Sequence, residues 1–200
     1  IEISFKALNE NPGKRIFLLS QMIHNPDVNN DLIERGVQFL QDTNGNQLIS
    51  FDILTPDDVL IIPAFGAPLD IIALLESKNI KTEAYNTTCP FVERVWKKSE
   101  SIGKDNYTII IHGKHNHEET KATFSRSDKH NKAIVVRDIA ESKLLGEYIL
   151  GNKSKEQFAI DFKGRYSENL DIEKDLQRVG VINQTPMLAS ETQEIADYFK

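Results

Sequence analysis

The residues of this chain best suited to chemistry lie where extended segments give way to helices. Four residue pairs follow extended segments and predict proline at the first helical position: Asn25-Pro26, Ala67-Pro68, Cys89-Pro90 and Thr185-Pro186. Proline is favoured there because it lacks an N–H that would lack a helical partner anyway, and because its fixed φ already suits a helix. Each pair therefore predicts a helix start.

Polar side chains that can bind anions or move protons recur at these junctions. They are His24, Asn25, Cys89, His112, His115, His117, Glu119, Gln184 and Thr185. In parallel α/β sheets, helix starts gather at the carboxyl ends of the strands, where N–H groups and the helix dipole attract anions. Taken jointly, these residues predict an anion-binding, proton-handling cleft. Taken singly, Asn25 and Thr185 could be N-caps and His24 a surface histidine.

Cys89 is the only cysteine, which excludes an intrachain disulfide and every CxxC motif. It immediately precedes the predicted helix start at Pro90, where a thiolate is stabilised by the helix dipole. This position suits a nucleophile or a metal ligand. A buried structural thiol remains an alternative on the sequence alone.

A histidine-rich junction offers a competing chemistry. His112, His115 and His117, with Glu118 and Glu119, could supply nitrogen and oxygen ligands to zinc. No HExxH motif accompanies them, and histidine is equally suited to binding phosphate or relaying protons near neutral pH. The acidic pair also has a purely structural alternative, since carboxylates stabilise the first turn of a helix.

Composition narrows the classes of partner. The formal net charge is −6, and lysines and arginines are dispersed rather than gathered in a stripe, which argues against nucleic acid and anionic membranes. The longest apolar stretch, 59–69, is interrupted by proline and glycine and is much shorter than the roughly 20 residues of a membrane span. We therefore expect a small molecule or protein partner.

Strand and helix patterns alternate, which predicts an α/β fold with mainly parallel sheets covered by helices. The predicted strands are 15–19, 58–62, 81–85, 107–112, 133–136 and 178–183. The predicted helices are 27–35, 69–77, 91–101, 118–125, 140–150 and 188–199. A polar link near 102–106 predicts a division into two similar modules, 1–103 and 104–200, with a single doubly wound sheet as the competing division. The stretch 151–173 is interpreted as a surface excursion with a short helix at 157–162.

Several strings occur together in a recognisable order. They are Met22-Ile23-His24-Asn25-Pro26, Pro63-Ala64-Phe65-Gly66, Thr87-Thr88-Cys89-Pro90, Ile111-His112-Gly113-Lys114, His117-Glu118-Glu119-Thr120 and Asn183-Gln184-Thr185. Over nearly the whole length, the chain resembles the LytB family of isoprenoid-pathway iron–sulfur reductases, in the form found in cyanobacteria and plant plastids. The expected compartment is accordingly the cytoplasm of a bacterium or the plastid stroma of a eukaryote.

The resemblance implies a pseudo-threefold architecture of three similar modules, each contributing one cysteine to a [4Fe–4S] cluster. Two modules are expected here, with the third module and the segment bearing the first cysteine absent. Cys89 matches the middle ligand. With one cluster ligand, the isolated chain is expected neither to hold the cluster nor to turn over.

The resemblance also assigns roles to individual residues. His24 and His117 match histidines that bind the substrate diphosphate, Glu119 the acid that delivers protons, Thr185 the threonine beside the substrate hydroxyl, and Gln184 a residue lining the same pocket. The implied reaction is reductive removal of the hydroxyl from an allylic diphosphate, with ferredoxin or flavodoxin as electron donor.

The sequence departs from the common family pattern at three positions. Phe65 replaces a substrate-binding histidine of many bacterial members, although phenylalanine is common in the plant-like branch. Pro186 replaces a second threonine, and Asn86 replaces an aspartate. These changes leave the local hydrogen bonding to be determined.

Overall fold

The computed structural model describes residues 2–200, which form two compact units. One unit ends at Pro90 and the other runs from Phe91 to Lys200. The predicted boundary at 103 falls one helix later. The division precedes this helix because its Trp96 and Ser99 bond to Thr123 and Ser127, both of the second unit.

The first unit contains a four-stranded parallel sheet of order β2-β1-β3-β4. Its strands are β1 (Ile16–Leu18), β2 (Gln38–Phe39), β3 (Val59–Ile62) and β4 (Tyr85–Asn86). Its helices are α1 (Glu2–Glu10), α2 (Pro26–Glu34) and α3 (Leu69–Ser77), with a 3-10 turn at Phe51–Ile53. Both central strands are wholly buried, as expected for a parallel sheet covered on two faces.

The second unit contains a three-stranded parallel sheet of order β6-β5-β7. Its strands are β5 (Thr108–His112), β6 (Ala133–Val136) and β7 (Val179–Asn183). Its helices are α4 (Pro90–Lys104, whose first residue closes the first unit), α5 (Glu118–His130), α6 (Ile139–Ile149), α7 (Lys155–Asp161), α8 (Ile172–Asp175) and α9 (Ala189–Tyr198). The two sheets and their helices confirm the predicted α/β class.

The prediction of a surface excursion at 151–173 is wrong. Phe158 and Phe162 are buried and stack on each other with ring centroids 5.2 Å apart, and both join the core cluster that contains Ile110 and Ile134 of the sheet. Charged residues around these aromatics, such as Lys155, Glu156 and Lys163, masked the i, i+4 spacing by which both rings reach the core.

The strand predicted at 81–85 is shorter and lies later in the chain. β4 pairs with β3 only through Tyr85 and Asn86, and Thr82 instead directs its hydroxyl to the Glu76 carboxylate at 2.8 Å. Among the helices of residues 2–200, none is both long and apolar enough to cross a membrane.

Candidate functional site

The start of α5 places an acid at the carboxyl end of β5. His117 is the N-cap, and its Nδ1 accepts a hydrogen bond from the Glu119 backbone N–H at 3.1 Å. Because Nδ1 acts as the acceptor, the proton of the neutral imidazole resides on Nε2. The capped turn therefore fixes both the His117 ring and the backbone of Glu119.

Glu119 and Thr185 form a close pair in this unit. One carboxylate oxygen of Glu119 accepts from the Thr185 backbone N–H at 2.6 Å, and the other accepts from Thr185 Oγ1 at 2.7 Å. Glu119 is only 1% exposed, so burial raises its carboxyl pKa, while the two bonds from Thr185 act to lower it. The arrangement suits a group that holds and releases a proton.

Gln184 lies beside this pair and is 2% exposed. Its side-chain Oε1 accepts from the Lys114 backbone N–H and from Thr120 Oγ1, each at 3.1 Å. Gln184 therefore joins the loop after β7 to both the loop after β5 and the first turn of α5. The predicted residues Glu119, Gln184 and Thr185, together with His117, share one edge of the second sheet.

The other two histidines of this junction do not complete a metal site. His112 is buried and its Nδ1 lies 2.8 Å from Thr192 Oγ1, whereas His115 is exposed. Burial lowers the pKa of the His112 imidazole. The pKa of His115 is lowered by partial loss of solvent around its ring and by the charge of Arg165. Within residues 2–200 no group of three or more His, Cys, Asp or Glu could hold a metal ion, which removes the geometric basis of the zinc hypothesis.

In the first unit, the carboxyl ends of β1, β3 and β4 are joined by backbone hydrogen bonds. Ala64 donates its N–H to Met22 at 3.3 Å and accepts at its carbonyl from Cys89 N at 2.9 Å. Thr87 donates both its N–H, at 3.0 Å, and its hydroxyl, at 2.6 Å, to the Ile62 carbonyl. The loop after β3 therefore anchors the segments that carry His24 and Cys89.

His24 is exposed at this edge, and its ring lies beside that of Phe65, with centroids 4.6 Å apart and planes inclined by 33°. The next residue, Asn25, caps α2 by accepting from Asp27 N at 3.0 Å and from Val28 N at 3.4 Å. Phe65 thus supplies a packing surface for the imidazole at the position where many bacterial members have a second histidine.

Cys89 is half-exposed, free of any disulfide, and directly precedes the first residue of α4. The loop before it is held by Asn86, whose Oδ1 accepts from Thr88 N at 3.0 Å and from Thr88 Oγ1 at 2.6 Å. An amide therefore makes the local hydrogen bonds at the position where the family pattern has aspartate. A half-exposed thiol on a fixed loop is accessible to a ligand.

Sequence reasoning missed one supporting residue, Asn29. It is 4% exposed, accepts from Met22 N at 3.0 Å and donates its side-chain N–H to the Ile23 carbonyl at 2.9 Å. A signal existed, because Asn29 lies three residues before the buried Leu32 and so shares its helix face.

These features define a parallel α/β protein whose sheet edges carry a capped acid, imidazoles and an accessible thiol. Residues 1–200 match the sequence profile of the LytB protein family. The chain belongs to the LytB family. The matched residues include every motif by which the sequence resembles this family.

Curated relatives agree with this assignment. A 4-hydroxy-3-methylbut-2-enyl diphosphate reductase of Prochlorococcus marinus subsp. pastoris and one of Gloeothece citriformis are each 40% identical over 200 residues, covering 100% of this chain. The match covers 48% of each relative, so the chain spans about half the length of the curated relatives it matches.

Solved structures show the same fold. One, of (E)-4-hydroxy-3-methyl-but-2-enyl diphosphate reductase, the terminal enzyme of the non-mevalonate pathway, aligns with a TM-score of 0.67 at 21% identity, covering 99% of this chain and 57% of that chain. Another, of E-1-hydroxy-2-methyl-but-2-enyl-4-diphosphate reductase from Plasmodium falciparum, gives 0.68 at 18% identity, covering 100% and 52%.

Proposed function

We propose that the full-length protein containing this chain is a 4-hydroxy-3-methylbut-2-enyl diphosphate reductase, which removes the allylic hydroxyl to give isopentenyl and dimethylallyl diphosphates. The observation that carries the proposal is the buried Glu119 carboxyl bound by Thr185 at a strand end, in a LytB-family chain. A reductive dehydroxylation needs such an acid, because hydroxide is a poor leaving group until it is protonated.

In this proposal, Glu119 protonates the departing hydroxyl, so that the C–O bond breaks and the oxygen leaves as water. Two electrons and a second proton, taken up at an allylic carbon, complete each product. Thr185 binds the substrate hydroxyl next to Glu119, since its Oγ1 already lies 2.7 Å from the carboxylate. The pKa of Glu119, raised by burial, keeps a proton available on the acid at higher pH than for an exposed glutamate.

His24 and His117 are proposed to bind the diphosphate through their side chains. The nearby helix N–H groups of Asp27, Val28 and Glu119 already donate to the caps. Anion recognition at these two helix starts therefore depends on imidazole more than on free backbone donors. His117 Nε2 carries the proton needed to donate to phosphate.

Cys89 is proposed as one thiolate ligand of a [4Fe–4S] cluster. The donor set fits this limited role, because the half-exposed thiol can serve as one ligand and the described residues contain no group able to hold a metal by themselves. When bound, the cluster would supply electrons one at a time, received from ferredoxin or flavodoxin. The compartment expected is bacterial cytoplasm or plastid stroma.

The direct test is substrate conversion. The full-length protein, reconstituted with iron and sulfide without oxygen and reduced with dithionite and methyl viologen, should convert 4-hydroxy-3-methylbut-2-enyl diphosphate to both products, measured by mass spectrometry. Cys89→Ser should lower iron content and abolish conversion. An iron-loaded wild-type protein that binds the diphosphate but leaves it intact would support a noncatalytic anion-binding module instead.

A further inference from the structure

Gln184 uses its side-chain carbonyl entirely within the protein. Its Oε1 accepts from Lys114 N and Thr120 Oγ1, each at 3.1 Å. A carbonyl oxygen has two lone pairs, and both are engaged here. Its backbone N–H is also used, donating to the His112 carbonyl at 2.9 Å. Gln184 therefore links the loop after β7 to the end of β5, the loop after β5 and the first turn of α5.

Gly113 makes this connection possible. A Cβ at this position would lie 2.8 Å from Thr120 Oγ1, 3.0 Å from Gln184 Cβ and 3.1 Å from Gln184 Oε1. Such distances are too short for ordinary contact, so only glycine lets the three segments approach this closely.

The connection lies beside the acid. Thr120 directly follows Glu119, and Gln184 directly precedes Thr185. Neighbouring contacts therefore join the first turn of α5 to the loop after β7. Displacement of Gln184 would carry the Thr185 N–H away from the Glu119 carboxylate, because the two residues share a peptide bond.

We propose that Gln184 is a positioning residue whose side-chain carbonyl holds Thr185 against Glu119. The inference rests on the proposed function and gives Gln184 a duty beyond the pocket-lining role that the family resemblance implies. Loss of the connection would weaken the two bonds that lower the Glu119 pKa and leave the effect of burial unopposed. The acid would then hold its proton more tightly.

The test uses three single variants of the full-length protein and the double variant Gln184→Met/Thr120→Val. Gln184→Met removes the acceptor, Thr120→Val removes one donor at nearly constant shape, and Thr120→Ser retains that donor. Thr120→Val, which removes one hydrogen bond, should lower kcat about tenfold, and Gln184→Met, which removes two, should lower it at least as much, with KM changed less than about twofold in both. Thr120→Ser should keep kcat within about twofold of wild type. The double variant should be no slower than Gln184→Met, because Gln184→Met already removes the acceptor for Thr120.

A second readout is independent of turnover. The measurement is an NMR titration of the cluster-free full-length protein labelled with 13C at its glutamate carboxyls. The Glu119 resonance is the one that is lost in Glu119→Gln. This resonance should titrate at higher pH in Gln184→Met and Thr120→Val than in wild type. Ser99→Ala, which removes a buried bond to Ser127 in the same unit, should lower stability without moving that titration.

Two results would overturn the inference. A lower melting temperature with unchanged kcat and Glu119 titration would make Gln184 merely structural, and a raised KM with unchanged kcat would make it a substrate contact. A wild-type protein that converts no substrate would refute the proposed function, while the carboxyl titration would still test the link from Gln184 to Glu119.

Discussion

Glu119 experiences two opposing influences on its proton. Burial raises the carboxyl pKa from its ordinary value of 4.5, and the hydrogen bonds from Thr185 lower it, with burial the larger effect. A carboxyl in this position is protonated more readily than in the unfolded chain. Folding therefore favours the protonated acid, and ionisation of Glu119 has a cost in stability.

This cost predicts a pH dependence of unfolding. Glu119 contributes stability at pH values below its unfolded pKa, and that contribution is lost as the pH rises through the higher folded pKa, because the folded state binds more protons in this interval. In Glu119→Gln this decline above about pH 4.5 should be absent. Urea unfolding at a series of pH values measures the slope, with the exposed Glu194→Gln on α9 as a control that should keep the wild-type slope. Equal slopes in wild type and Glu119→Gln would contradict the prediction.

At the scale of elements, the loop after β1 is held by one buried amide. Asn29 on α2 accepts from Met22 N and donates to the Ile23 carbonyl, immediately before His24. The matched variants Asn29→Ala and Asn30→Ala test this contact, because Asn30 is exposed on the same helix. Asn29→Ala should lower the free energy of unfolding by about 2 kcal/mol by leaving buried backbone groups unpaired, and Asn30→Ala by less than about 0.5 kcal/mol. Equal losses in urea titrations would exclude the anchoring role.

The sequence predicts elements better than the contacts between them. Runs such as 107–112 and 133–136 are apolar and β-branched, and β5 and β6 form there. Pro26 and Pro90 mark helix starts through a local property of the residue. The bond between Glu119 and Thr185 joins positions 66 residues apart, and no local pattern encodes it. From the sequence, only the resemblance to the LytB family assigns these two residues to one site.

In the whole molecule, both units hold their candidate site residues in the same way. A parallel sheet with buried central strands presents loops at its carboxyl edge, and hydrogen bonds join those loops to one another. In the first unit the Ala64 backbone anchors the loops bearing His24 and Cys89, and in the second Gln184 anchors the loop bearing Thr185. Both arrangements place candidate site residues on loops that hydrogen bonds tie to a buried sheet, which is typical of binding and catalytic sites.

Glu119 is proposed to deliver the proton in the full-length protein. The most direct measurement compares turnover of 4-hydroxy-3-methylbut-2-enyl diphosphate by the reconstituted full-length wild type and Glu119→Gln, with iron content and substrate dissociation constant measured on the same samples. Turnover should fall at least about 100-fold in Glu119→Gln, as expected for loss of a general acid, while iron content and the dissociation constant stay within about twofold. Turnover within about twofold of wild type would exclude Glu119 as the proton donor.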